Sequence, residues 1–179
     1  MIQNIFLDRD GIINEVVLRG EIIGSPRNFS EFSFRQDFLD VIPKLSEFKG
    51  NIFIVSNQPD IERGLMSLDL LNRIDREILK YFRPTEIKYC LCSDGPNCTC
   101  KKPKPGMIED LITKYGIDQK TSIIIGDSYK DVEAGKNASI RTIFLETQYN
   151  KNTLVSKPDK IIFSLKEFFF QDFDYLCFT

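Results

Sequence analysis

Short apolar runs rich in β-branched residues recur along this chain with helical spacing between them, and that alternation constrains its fold most. QNIFLD (3–8), NIFIVS (51–56), EIKYCL (86–91), TSIIIGD (121–127), SIRTIFL (139–145) and DKIIF (159–163) read as strands. They are bounded by turn residues and mostly lack polar alternation, as strands covered on both faces do. Helical patterns span 36–48, 66–82, 106–115, 130–137 and 164–170; Ser67 suits a helix start, and Gly116 and Gly135 suit helix ends. Crossovers of this length predict an α/β fold built on a doubly wound parallel sheet. The segment 14–34 breaks the rhythm: VVLRGEII (16–23) predicts a small hairpin, and the rest a loop over the sheet edge. That leaves a minimal cap, with no room for a separate cap domain. Residues 1–179 are expected to form one domain.

A net charge of −2 offers no general attraction to nucleic acid or to an acidic membrane surface. The opening MIQNIFLDRD has no basic region of the kind a signal peptide carries, and IIFSLKEFFF (161–170) is charged and too short to span a bilayer. The expectation is a monomeric cytoplasmic protein with reduced thiols.

Ligands of doubly wound sheets bind beyond the carboxyl ends of the strands, and four polar motifs fall there. In FLDRDG (6–11), Asp8 and Asp10 are two apart as a buried strand runs out, so both side chains point the same way. Carboxylates that close repel, and one is easily kept protonated unless a cation lies beside them, which suits a nucleophile and an acid. The same composition also makes an ordinary turn. In IVSNQPDIERG (54–64), Ser56 ends a strand, with Asn57 and Gln58 following; its hydroxyl and successive backbone N–H groups can hold a phosphoryl oxygen. In CKKPKPGM (100–107), Lys102 precedes a proline on a short loop, where it can neutralise a transferring phosphoryl group. In IIIGDSYKDVEAG (123–135), a strand delivers Asp127, able to add an oxygen ligand to Mg²⁺, and Asp131 falls in the first helical turn, where capping alone would explain it.

Taken in order, FLDRDGxxN, SNQPDxxRG and a cysteine cluster running into CKKPKPGM resemble the haloacid dehalogenase superfamily of phosphohydrolases. Within it, the chain is similar to the subgroup of histidinol-phosphate and heptose-bisphosphate phosphatases. The resemblance implies a Mg²⁺-dependent phosphomonoester hydrolase acting on a small phosphorylated sugar. Asp8 would be the nucleophile that forms an aspartyl-phosphate, and Asp10 the general acid and base. Mg²⁺ would be held by Asp8, Asp127 and the backbone carbonyl of Asp10. Ser56, Asn57, Gln58 and Lys102 would serve the phosphoryl group, and Lys101 the rest of the substrate. Arg63-Gly64 and the Pro-Gly-Met at 105–107 lean to the heptose branch, with histidinol phosphate the alternative substrate. Lys101, in place of the heptose enzymes' usual Arg, keeps the charge but loses bidentate recognition. Where the family has a short substrate loop, this chain has EVVLRGEIIGSP, so Arg19 or Arg27 could reach a distal phosphate or simply be solvated. A receiver-like phosphoacceptor domain would also combine such a sheet with acids and a lysine, but it carries its phosphorylated Asp on the third strand rather than the first.

Four of five cysteines lie in YCLCSDGPNCTC (89–100), in a chain without histidine. Redox pairs are more usually Cys-x-x-Cys, and a Cys90–Cys92 disulfide would be strained. The resemblance implies a zinc loop over 90–100, with Cys92 standing where the family has His. Cys90, Cys92, Cys98 and Cys100 would then close a tetrahedral shell around a structural Zn²⁺. Cys177, in the aromatic tail, is expected to be an incidental thiol.

Overall fold

The structure, a computed structural model, describes residues 1–93, 95 and 97–173. Six parallel strands form one sheet: β1 (Asn4–Leu7), β4 (Asn51–Asn57), β5 (Glu86–Cys90), β6 (Ser122–Gly126), β7 (Arg141–Leu145) and β8 (Lys160–Ile162). Their order is β5-β4-β1-β6-β7-β8. Chain order therefore runs outward from β1 in one direction and then outward from β6 in the other. The switch point lies between β1 and β6, where a crevice opens at the carboxyl ends of the strands.

Side chains alternate between two cores with the period of two that strand geometry imposes. Ile5, Leu7, Ile52, Ile54, Ile123 and Ile125 pack on α1 (Gln36–Glu47), α2 (Leu68–Tyr81) and α5 (Leu165–Glu167). Phe6, Phe53, Val55 and Ile124 face α3 (Gly106–Tyr115) and α4 (Tyr129–Asn137). Both faces are thus covered, which is why these strands lack polar alternation. The predicted hairpin forms as β2 (Val17–Arg19) and β3 (Ile22–Gly24), paired antiparallel.

Helix ends follow local chemistry. The Ser67 hydroxyl accepts the Leu70 N–H to cap α2, and Gly116 closes α3 in the left-handed region at φ 63°. Gly135 departs from expectation: it lies inside α4, and a Cβ there would collide with Ile124 and Thr142. It is needed for close helix–sheet packing rather than for helix termination. The last helix also differs, since only Leu165–Glu167 is α-helical and Phe168–Asp172 is a π-helical turn. Cys177 and the end of the tail lie outside the described residues. Among the described residues, no helix is long and apolar enough to cross a membrane.

Candidate active site

A cavity of about 330 Å³ opens at the switch point, lined by Asp8, Asp10, Ser56, Asn57, Asp127 and Asp131 among others. A larger one, about 680 Å³, lies between the N-terminal residues 1–4 and the loop after α3, but it holds no cluster of catalytic groups. Chemistry rather than volume locates the site.

Asp8 follows β1, Ser56 belongs to β4, and Asp127 follows β6, so three neighbouring strands deliver them to one end. One oxygen each of Asp8, Asp127 and Asp131 lies within 4.8 Å of the others. The approach depends on glycines. Gly11 has φ +86°, and a Cβ there would overlap the Asp127 carboxylate; one at Gly126 would strike Asp131. Asp131 does more than cap α4. Its Oδ2 accepts the Ser128 N–H at 3.1 Å, and its Oδ1 accepts from Lys102 Nζ at 2.5 Å. Lys102, 2% exposed, also reaches Asp8 Oδ1 at 2.9 Å and the Val55 carbonyl at 2.7 Å, so all three of its N–H donors are engaged. It does not line the cavity but sits directly against Asp8, which does.

Three carboxylates face one ammonium here. Burial, followed by the charge of Asp131, lifts Asp8 to about 7, and burial with the charge of Asp8 holds Asp127 well above the usual carboxylate range. A buried set of hard oxygen donors with this excess of negative charge fits a divalent cation such as Mg²⁺, which would relieve the repulsion.

Asp10 behaves in the opposite way. Burial alone would raise it, but the Arg9 guanidinium and hydrogen bonds from Asn14, Ser25 and Gln58 outweigh burial and hold it below the usual range. Arg9 is fully buried and binds both Asp10 oxygens at 3.0 Å through Nη2; its guanidinium lies 5.7 Å from the Tyr89 ring centre. Asn14 Nδ2, Ser25 Oγ and Gln58 Nε2 complete the shell at 2.7–2.8 Å. The two acids of the pair are thus shifted in opposite directions, Asp8 up and Asp10 down.

Within the SNQ segment, Ser56 and Asn57 line the cavity and Gln58 supports it. Gln58 also donates to Ser56 Oγ at 3.0 Å, and its backbone N–H is taken by the Cys90 carbonyl at 2.7 Å, which removes one expected phosphate donor. The Asn57 amide grips the Lys102 backbone at both N–H and carbonyl, each at 2.9 Å. Lys101 Nζ donates to the Ser93 carbonyl and lines a neighbouring cavity of about 310 Å³ with Arg19, Arg27 and Arg63. Of those arginines, Arg19 is bound to Glu31 at 2.5 Å and Arg27 to Asp60 at 2.7 Å.

The four thiols converge as well. Cys90, at the end of β5, pairs with Asn57 of β4, while Cys100 leads directly into Lys101 and Lys102. The sulfur separations are 3.5 Å (Cys90–Cys98), 3.6 Å (Cys98–Cys100) and 3.9 Å (Cys92–Cys100), and all four cysteines are free. A tetrahedral zinc with bonds of about 2.3 Å requires sulfur edges of about 3.8 Å. These three edges lie close to that value, so the donor set is compatible with such an ion, and none of the four thiols is in a disulfide.

Ser25, Tyr149 and Asn150 escaped the sequence reading, and Arg9 and Asn14 were read only as parts of a motif. Arg9 stood in view between two acids and Asn14 within the FLDRDGxxN motif, each without an assigned role; Ser25 and Tyr149 meet partners 15 and 22 residues away, which leaves no local signal.

Residues 99–168 match the HAD-hydrolase-like family model. A D-glycero-alpha-D-manno-heptose-1,7-bisphosphate 7-phosphatase from Photorhabdus laumondii is 34% identical over 152 residues, covering 78% of this chain and 80% of that protein. A D-glycero-beta-D-manno-heptose-1,7-bisphosphate 7-phosphatase from Helicobacter pylori is 31% identical over 150 residues, covering 80% and 83%. In fold, the chain is similar to the crystal structure of D,D-heptose 1,7-bisphosphate phosphatase from B. bronchiseptica complexed with magnesium and phosphate, with a TM-score of 0.82 and 24% identity over 97% of this chain and 99% of that one. Motif order, strand-end placement and identity across four-fifths of a curated relative agree: this chain belongs to the haloacid dehalogenase-like family of phosphatases.

Proposed function

We propose that this phosphatase removes the 7-phosphate of a D-glycero-D-manno-heptose 1,7-bisphosphate. The observation that carries the reading is the meeting of Asp8, Asp10, Ser56 and Asp127 in one cavity, with Lys102 bridging Asp8 and Asp131 behind it. Relatives named for that reaction in Photorhabdus laumondii and Helicobacter pylori support the substrate.

An Asp8 oxygen attacks phosphorus in line with the departing sugar oxygen, giving an aspartyl-phosphate and the dephosphorylated alcohol. Asp10 gives the leaving oxygen its proton, then takes one from the water that cleaves the acyl-phosphate. In the free protein Arg9 keeps Asp10 ionised, which suits the second task. The charge of an arriving phosphoryl group raises its proton affinity for the first. Ser56 Oγ, held by Gln58, donates to a phosphoryl oxygen, and Lys102 stays beside Asp8 as charge builds on it. Mg²⁺, held by Asp8, Asp127 and the Asp10 carbonyl, would neutralise the phosphoryl oxygens.

Zn²⁺ on Cys90, Cys92, Cys98 and Cys100 would be structural, with no open position. Asn57 extends its effect: the thiol loop holds the chain up to Cys100, and Asn57 grips the next lysine but one. The reading includes a single domain over 1–179 that acts as a monomer in the cytoplasm, where four free thiols stay reduced. A panel of sugar phosphates and sugar bisphosphates plus histidinol phosphate, compared by kcat/KM with Mg²⁺, tests it. Heptose 1,7-bisphosphate is expected to lead; faster turnover of histidinol phosphate would replace this reading.

A further inference from the structure

The loop after β7 is fastened to the base of Asp127. Asn150, 4% exposed, donates from Nδ2 to the Asp127 carbonyl at 2.7 Å and to the Leu145 carbonyl at 2.9 Å. Its own Oδ1 accepts the Thr147 N–H at 2.7 Å, and its carbonyl accepts from Thr153 Oγ1 at 2.7 Å, so the turn is rigidly tied. This places the Tyr149 hydroxyl 2.7 Å from Asp127 Oδ2, at the wall of the catalytic cavity. The same carboxylate lies against Gly11, where a Cβ would overlap Oδ2, so even a methyl group would not fit. A close backbone and a phenol thus both meet Asp127 at Oδ2.

We propose that Tyr149 is a positioning residue for the cation site: its hydroxyl occupies Asp127 Oδ2 and turns the carboxylate so that one oxygen is left to bind Mg²⁺. The physical reason is entropic and electrostatic. Asp127 lies just beyond the strand, in a cluster of like charges that tends to push it outward. A neutral donor on one oxygen holds the rotamer without competing for the cation. Ligands fixed by an outer hydrogen bond bind metal more tightly, and losing that partner typically costs about 10–100-fold in affinity. Asn150 acts one step further out, fixing the turn from which the phenol projects.

The inference rests on the magnesium reading above, so both are tested together. Mg²⁺ is titrated calorimetrically into the whole protein without substrate, for wild type, Tyr149→Phe and Asp127→Ala. Tyr149→Phe keeps the ring and its packing; its Mg²⁺ dissociation constant is expected to rise about 10-fold. Its half-saturating Mg²⁺ in the phosphatase assay should rise in parallel, while kcat at saturating Mg²⁺ falls no more than about threefold, a split that loss of packing would not produce. Asp127→Ala should lose calorimetric binding. Tyr149→Phe binding Mg²⁺ within twofold of wild type, with Asp127→Ala defective, would overturn the role of Tyr149 alone. Wild-type affinity in both variants would overturn the metal site and this inference with it.

Discussion

The acid cluster and the thiol cluster are both preassembled donor sets, yet they are held in opposite ways. The thiols come from eleven consecutive residues, the end of β5 and the loop after it, and three of the four are partly exposed. The acids come from two segments far apart in sequence, Asp8 from one and Asp127 and Asp131 from the other, are almost wholly buried, and are forced together against their own repulsion. A local site of soft donors is cheap to assemble and contributes little without an ion. A long-range site of buried charges is costly, and the whole sheet must supply the cost. Removing a donor should therefore damage stability in the first and chemistry in the second.

The largest expected effect is on rate. Asp8→Asn should lower kcat/KM by about 10⁴-fold or more in a p-nitrophenyl phosphate assay, as loss of a nucleophile does elsewhere. The same variant should leave the metal-free protein at least as heat-stable as wild type, because it removes one of three mutually repelling carboxylates. A large fall in melting temperature would break the comparison.

Next comes the thiol loop. Cys98→Ser should lower the melting temperature by several degrees and release bound zinc, measured by elemental analysis, because metal binding here is coupled to order in the loop. A metal-free preparation with full activity and unchanged melting would remove the proposed role of the loop.

Acid repulsion also predicts a pH signature. Burial and the charge of Asp131 raise Asp8 from 3.8 to about 7. A carboxyl raised in the folded state contributes stability that is complete below its unfolded pKa and is lost as pH climbs through the folded one. The metal-free protein should therefore weaken between about pH 4 and pH 7. The rise in melting temperature on adding Mg²⁺ should be larger at pH 8 than at pH 5.5. Equal shifts would mean that the acids are not the cation site.

Smaller effects sharpen the link between the two regions. Asn57→Ala removes two hydrogen bonds from the Lys102 backbone. It should cost about 1–3 kcal/mol of stability in a denaturant titration and lower kcat/KM, with zinc content unchanged. Smallest is Arg19→Ala, which breaks a half-exposed pair with Glu31. A change under about 1 kcal/mol is expected; a marked rise in KM for a sugar bisphosphate would instead place Arg19 on a distal phosphate.

Much of this was legible in the sequence because it is local. The β1 run NIFL and the β6 run SIIIG announce covered strands through their unbroken apolar character, and Ser67 and Gly116 announce helix ends through their own side-chain chemistry. Gly135 misled for the same reason: a glycine near the end of a helical pattern suits a terminus, and only the packing of α4 on β6 and β7 shows that it clears Ile124 and Thr142. Asp10 was legible as a site residue but not in its charge state, which depends on Arg9 being sealed beneath it.

By itself, the sequence determined the alternation of strands and helices, the strand ends that carry Asp8, Ser56 and Asp127, and a thiol loop spaced for one ion. Periodicity and spacing act between near neighbours, and near neighbours suffice for these. Only the tertiary structure decided that β1 lies between β4 and β6, that Lys102 bridges Asp8 and Asp131, and that Tyr149 closes on Asp127. Those contacts join segments whose separation carries no local signal. They exist because two hydrophobic cores select one order of strands, and that order brings the acids together.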